Sequence, residues 1–191
     1  INPGTISMRV SPEIKNIRPV ILGAVIRGVK ITEEIIKRLM DHQEKLHFAL
    51  GRGRKRASIG VHDLATLTPP FRVEAVSRDH AFTPLAMEQD MSIEKILSEH
   101  PKGVDYAHLL EGMEKVPVII DANNSVLSFP PIINGNHTTV TENTRDLFID
   151  VTGLQPNKFF ALLLSIVSEE NKRSASAFLP NNFAKKIFYL N

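Results

Sequence analysis

The run Val20 to Val29 (VILGAVIRGV) constrains the fold more than any other segment. It is apolar, rich in β-branched residues, preceded by Pro19 and interrupted by Gly23 and Gly28, which is the pattern of a strand buried in a sheet. A chain of 191 residues is long enough to supply the core such a strand needs, as one medium domain or as two small lobes sharing a core. Thr32 then reads as a helix N-cap, with Glu33 and Glu34 at the positive end of the helix dipole. Ile36, Leu39, Met40, Leu46 and Leu50 follow at helical spacing, and Gly51 reads as the stop.

Further along, Ala57 to Val61 and Phe71 to Val76 read as strands, the second alternating apolar and charged residues. A short helix is expected from Ser92 to Glu99, ended by Pro101 and Gly103, while Val104 to Leu110 fits either a helical turn or a strand. Val118 to Ile120, the turn Asp121 to Asn124 and Ser125 to Ser128 read as a hairpin. In the strand Arg145 to Val151, Leu147, Ile149 and Val151 share one face, and Asp146, Phe148, Asp150 and Thr152 share the other, taken as the solvent side. An apolar helix is expected from Asn157 to Val167. Hairpins mixed with helices predict an α+β fold, a mixed and largely antiparallel sheet packed with helices.

The chain has no Cys, which excludes a disulfide scaffold, a cysteine nucleophile and a thiolate metal site. Its seven His have no metal-ligand spacing, so no metal is expected, and no Gly-x-Ser-x-Gly elbow marks a serine nucleophile. The longest apolar run, Phe159 to Leu164, is far below the roughly 20 residues that span a bilayer, so no membrane partner is expected. With 23 basic against 21 acidic side chains, composition alone does not indicate nucleic-acid binding. The one concentrated cationic segment is Gly51 to Arg56, where Arg52, Arg54, Lys55 and Arg56 stand between and after glycines. It reads either as a flexible phosphate-contacting loop or as a solvated helix C-terminus. The chain opens on Ile1 and reads as a piece of a larger protein.

The segment from Ser128 to Thr152 carries the densest candidate chemistry. Pro130 and Pro131 restrict the backbone, and Gly135 can adopt positive φ, so that a ligand could come close to the main chain. Asn134, Asn136, His137, Thr138 and Thr139 supply donors and acceptors without net charge, which suits a pocket for a small polar ligand and a water, or simply a capped Asn-Gly turn.

Four phrases together, IRPVILGAVIRGV, IGVHDL, PVIIDANNSVLSFPPIINGNHT and TENTRDLFIDVTG, resemble the beta subunit of archaeal and eukaryotic-type phenylalanyl-tRNA synthetase, in the module that edits mischarged tRNA. The resemblance covers about Ile14 to Val167 in collinear order. It implies one editing module over residues 1–170, with 171–191 a tail outside the family pattern. The implied activity is hydrolysis of tyrosine wrongly esterified to tRNA(Phe). Related bacterial subunits have a Gly-Gly stretch and, sixteen positions later, an acid that recognises the tyrosine hydroxyl; Asn134-Gly135 and Asp150 stand in those places. Asp150 is one methylene shorter than the Glu of that pattern. Thr152 lies two positions beyond it, and His108, after Gly103, is the counterpart of a further His.

On this resemblance Asp150, with Ser128, Asn136, Thr138 and Phe148, would bind the substrate. His137, His108 and Thr152 would hold the water, and main-chain N–H groups around Asn134, Gly135 and Asn136 would receive the oxyanion. Arg52, Arg54, Lys55 and Arg56 would face tRNA phosphates. The module would need no cofactor, whereas the parent synthetase would use ATP and Mg. Implied partners are tRNA(Phe) carrying tyrosine and the alpha subunit of a heterotetramer, in the cytoplasm. The competing expectations are a tRNA- or subunit-docking scaffold with a vestigial pocket, and a free-standing enzyme or binder acting on a small aromatic amino acid.

Overall fold

The computed structural model describes residues 6–154 and 186–188. Strands β1 (Met8–Val10) and β2 (Val20–Arg27) precede helix α1 (Glu33–Ala49), then β3 (Ala57–Asp63) and β4 (Phe71–Ser77). A two-residue ribbon, β5 (Ala81–Phe82) with β6 (Met91–Ser92), leads into α2 (Ile93–Glu99) and α3 (Pro101–Tyr106). The last described strands are β7 (Lys115–Ile120), β8 (Val126–Phe129), β9 (Ile133–Asn134), β10 (Asp146–Gly153) and β11 (Lys186–Phe188). The expected helix Asn157 to Val167 and the tail, apart from β11, lie outside the described residues.

Local sequence explains most of these boundaries. Thr32 caps α1 by accepting Ile35 N–H at 3.3 Å, and Ser92 caps α2 by accepting Lys95 N–H at 3.2 Å. The stripe on α1 is narrower than its spacing suggests. Leu39 and Leu46 are buried, but Met40 and Leu50 are exposed. Gly51 ends the helix by contact rather than by positive φ, since a Cβ there would sit 2.5 Å from the carbonyl oxygens of both His47 and Ala57. The left-handed residues come next, Arg52, Gly53 and Arg54 at φ 50°, 61° and 65°.

Pro101 does not stop the helical region; it begins α3, where its missing N–H costs nothing. Gly103 lets the two short helices approach, as a Cβ there would fall 1.7 Å from the Ile96 carbonyl oxygen. Residues 104–110 continue as helix and then as a 3-10 turn, Ala107–Leu110. The β7–β8 turn is organised by Asp121, whose Oδ1 accepts the N–H groups of Asn123 and Ser125 at 2.9 and 3.0 Å.

Two main sheets result, ordered β1-β4-β7-β8-β9 and β11-β2-β10-β3. All pairings among the described residues are antiparallel except β1 with β4, so the fold is α+β with a mixed, largely antiparallel character. Four layers stack around three cores. Helix α1 packs Leu39 and Leu46 on Ala24, Ile26, Ile59, Leu147, Ile149 and Val151. The opposite face of that sheet, with Ile21, Val25 and Phe148, packs on Phe71, Val73, Ile119 and Leu127 of the five-stranded sheet. Beyond it, Ile93, Ile96 and Leu97 close the third core against Val116, Val118 and Ile120.

The strand β10 therefore has no solvent face: Phe148, Asp150 and Thr152 are each 1% exposed. Alternation divides its residues as expected, but a second sheet covers the side taken as wet. Burying Phe148 contributes about 2–3 kcal/mol; burying Asp150 requires compensation, which the local geometry supplies.

Candidate functional site

Strand β3 lies at the free edge of the four-stranded sheet. Its Ile59 and Val61 pack toward α1, while Ser58, Gly60 and His62 share the inner face with Thr152, Asp150 and Phe148, their register partners on β10. The outward peptide groups of β3 meet side chains instead of another strand. His47 Nε2 accepts Ile59 N–H at 2.8 Å, Gln43 Nε2 donates to the Ile59 carbonyl at 2.8 Å, and Asn134 Nδ2 donates to the Val61 carbonyl at 3.3 Å.

Along this edge a cavity of about 330 Å³ opens between α1, β3 and the segment that follows β8. Its apolar wall is Ile36, Met40, Ile59, Val61, Phe129, Ile132 and Ile133, its polar groups include Ser58, Ser128, Asn134, Thr138 and Asp150, and the charged Glu44, Arg54 and Lys102 also line it. A mostly apolar cavity of this size with a few converging polar groups suits one aromatic side chain.

Asp150 is held at its inner end. Its Oδ2 lies 2.7 Å from His62 Nε2, and His62 Nδ1 lies 3.0 Å from Thr138 Oγ1, which donates to the Gly135 carbonyl at 3.0 Å. No donor among the described residues meets Asp150 Oδ1. Gly60 makes this packing possible, because a Cβ there would fall 2.0 Å from Asp150 Oδ2 and 2.6 Å from His62 Nε2.

Behind the acid a buried guanidinium supplies charge. Arg18 donates through Nε to Thr152 Oγ1 at 2.7 Å, and through Nη2 to Ser58 Oγ at 3.1 Å and the Thr152 carbonyl at 3.1 Å. Burial lowers the Arg18 pKa to about 10, with the Asp150 charge acting in the opposite direction, so Arg18 stays cationic at neutral pH.

The structure brings together some of the residues expected from sequence and separates others. Asp150, Asn134, Ser128, Thr138 and Arg54 line the cavity. Phe148 belongs to the core between the sheets, with its ring centroid 4.7 Å from that of Phe71 and 5.8 Å from that of His62. Thr152 is engaged by Arg18 and lies 2.9 Å from Ser58 Oγ. Asn136 and His137 line a separate polar depression with Glu88 and Asp90; burial lowers the His137 pKa, partly offset by Asp121. His108 lines a third depression, beside Arg18 and Lys55.

Three expectations need correction. Gly135 has φ −70°, so its lack of a side chain matters for space, since a Cβ would lie 2.2 Å from the Val126 carbonyl oxygen. The main-chain donors expected to receive an oxyanion are occupied: Gly135 N–H donates to Leu127 and Asn136 N–H to Thr83, at 3.0 and 2.9 Å. Arg54 is not an exposed phosphate ligand. The left-handed turn sends it inward, where it donates to Glu44 at 2.6 Å and to the Ile132 carbonyl at 2.8 Å, 4.4 Å from the centre of the Tyr106 ring. Arg52 and Lys55 are exposed and Arg56 is half-buried.

Sequence reasoning missed His62, Arg18, Ser58 and Gly60. A signal for three of them was present, since Ser58, Gly60 and His62 alternate with Ala57, Ile59 and Val61 and form a small, polar face on a strand too buried for solvent. Among the described residues no group of three or more His, Asp or Glu is arranged to hold a metal ion.

Comparison with known proteins agrees with this architecture. The B3/4 domain family matches residues 5–174. The chain is 54% identical over 168 residues to the phenylalanine–tRNA ligase beta subunit of Methanosarcina acetivorans, covering 88% of this chain and 31% of that one. It is 43% identical over 175 residues to the corresponding subunit of Archaeoglobus fulgidus, covering 91% and 32%. A crystallised N-terminal fragment of the phenylalanyl-tRNA synthetase beta subunit from Pyrococcus horikoshii superposes with a TM-score of 0.84 at 30% identity, over 98% of this chain and 51% of that chain. The chain thus spans about a third of the length of these curated relatives.

Proposed function

The chain belongs to the B3/4 domain family as it occurs in phenylalanine–tRNA ligase beta subunits, and from that membership we propose that its cavity hydrolyses tyrosine wrongly esterified to tRNA(Phe). The observation that carries this reading is Asp150, a carboxylate 1% exposed on an apolar cavity, with one oxygen on His62 and the other without a donor among the described residues.

Phenylalanine and tyrosine differ by one hydroxyl. A hydrophobic pocket rejects an added hydroxyl only about a hundredfold, whereas a site built to hydrogen-bond it rejects the analogue lacking it by about 10⁴-fold or more. With tyrosine in the cavity the phenol donates to Asp150 Oδ1. With phenylalanine that acceptor is dry and unpaired, which costs free energy. The preference is thus opposite to that of a site selecting phenylalanine, as proofreading requires.

Hydrolysis joins a water oxygen to the ester carbonyl carbon and expels the ribose oxygen, which leaves with a proton; free tyrosine and intact tRNA result. Asn134 gives one amide hydrogen to Val61 and has a second available for the carbonyl oxygen. The terminal ribose hydroxyls and phosphates of the tRNA help place the water, so no protein general base is required. Exposed Arg52 and Lys55 contact the acceptor-end phosphates. On this reading the module works without a cofactor in the cytoplasm, beside an alpha subunit, and ATP and Mg²⁺ serve the ligation step elsewhere in the ligase.

The test is release of tyrosine from Tyr-tRNA(Phe) by the complete ligase before and after Asp150→Ala. A fall of about a hundredfold in kcat/KM for Tyr-tRNA, with the preference over Phe-tRNA lost, is expected. Unchanged release and preference would remove Asp150 from the mechanism. Tight tRNA binding with no hydrolysis by the wild type would favour a docking scaffold.

A further inference from the structure

We propose that His62 is a positioning residue that sets the specificity of this site: by holding Asp150 Oδ2 it leaves Oδ1 as the single acceptor offered to the cavity. The proposal rests on the deacylase reading above. His62 does not touch the cavity contents and acts only through Asp150.

The ring is fixed from every side. Its side chain has no exposed surface, Nε2 is 2.7 Å from Asp150 Oδ2 and Nδ1 is 3.0 Å from Thr138 Oγ1. Its face stacks on Phe148 at an interplanar angle of 29°, and Gly60 removes the side chain that would otherwise separate ring from carboxylate. Both ring nitrogens are engaged, and each fixes the hydrogen bond that the other makes.

Why a reader of hydroxyl groups needs this follows from the chemistry of a carboxylate. Two oxygens, each accepting in two directions, can be solvated in many ways, and a freely rotating carboxylate draws water into its pocket. Once hydrated, it loses little when phenylalanine replaces tyrosine, because no acceptor is left dry. Discrimination depends on that penalty. Tying Oδ2 to a buried ring removes one oxygen from competition, fixes the direction of the other and couples the acid through Thr138 to the turn Asn136–Thr138 that borders the cavity.

The experiment compares wild type, His62→Ala, His62→Gln and His62→Asn in the complete ligase, with Tyr-tRNA(Phe) and Phe-tRNA(Phe) deacylation measured separately. His62→Ala is expected to reduce the Tyr/Phe ratio of kcat/KM by about ten- to a hundredfold. Gln, whose amide nitrogen occupies the place of Nε2, is expected to recover most of the ratio, while Asn, which mimics only Nδ1, recovers little. A merely structural role would lower both deacylations together and leave their ratio unchanged, and that result would overturn the proposal. Gln performing no better than Asn would do the same even if the Ala variant did not fold. Wild-type ligase that left Tyr-tRNA intact would instead overturn the deacylase reading, and the proposal with it.

Discussion

Gly60→Ala is a demanding test of the Asp150 site, because it adds one methyl group at a backbone conformation that alanine tolerates. The new Cβ would lie 2.0 Å from Asp150 Oδ2 and 2.6 Å from His62 Nε2, whereas real Cβ contacts almost never fall below 3.0 Å. Asp150 must therefore retreat by about 1 Å, and the ring by a few tenths of an ångström. The ring is enclosed and backed by Phe148, so the carboxylate gives way toward the cavity, out of its pairing with His62. Overpacking of this kind costs about 1–3 kcal/mol, offset by about 0.4–1 kcal/mol from the lower entropy of the unfolded alanine chain. The functional loss should be larger than the net destabilisation. A displacement of about 1 Å at a reacting or recognising group costs about a hundredfold. Deacylation of Tyr-tRNA(Phe) by the complete ligase should fall by that factor, while charging of tRNA with phenylalanine, measured in the same preparation, should not change. Wild-type rates of tyrosine release would show that neither the carboxylate position nor its pairing with His62 governs the reaction.

Other changes separate framework from site. Gly103→Ala would place a Cβ 1.7 Å from the Ile96 carbonyl, a backbone atom that cannot move aside, so α2 and α3 should part at a cost of about 3 kcal/mol, visible as faster proteolysis between them. Arg54→Met leaves the Ile132 carbonyl without its donor and removes one of several cations from the half-exposed Glu44, and should cost about 1–2 kcal/mol in denaturant unfolding. The double change Arg52→Ala with Lys55→Ala should alter stability by no more than about 0.5 kcal/mol and reduce the salt dependence of tRNA binding by about one unit of slope per lost phosphate contact.

Acid should erode stability in two stages. Burial lowers the His47 pKa, so below its ordinary 6.5 the unfolded chain binds a proton that the folded chain refuses. Glu44, held at about 2 by His47 and then by Arg54 and Lys102, contributes stability above its unfolded 4.5 that is lost as pH falls toward 2. His47→Gln keeps an acceptor for Ile59 N–H and should flatten the first stage in a pH series of unfolding midpoints.

What could be read from the sequence is what neighbouring residues determine. Thr32 and Ser92 mark their helices because a cap needs only the next three residues, and the Asp121 turn needs only four. The division of β10 into two faces follows from the pleat alone. Which face is wet does not, because the second sheet is assembled from β1, β4 and β7, distant in sequence. The same limit hid the contacts of the site. His62 and Asp150 are 88 residues apart, and Arg18 and Thr152 are 134 apart. Arg54 was misplaced for a different reason. Glycines and cations together suggest solvent, yet three successive left-handed residues turn that side chain inward.

The side chains that cover β3 have a consequence for the chain's behaviour in company. A free strand edge is a template on which another protein's strand can pair, and it is a common start of aggregation. Here His47, Gln43 and Asn134 engage the Ile59 N–H, the Ile59 carbonyl and the Val61 carbonyl, three of the groups that an intruder would need. The edge is thereby less open to foreign strands and still borders an open cavity. A covering strand would have given the same protection only by filling the space of that cavity.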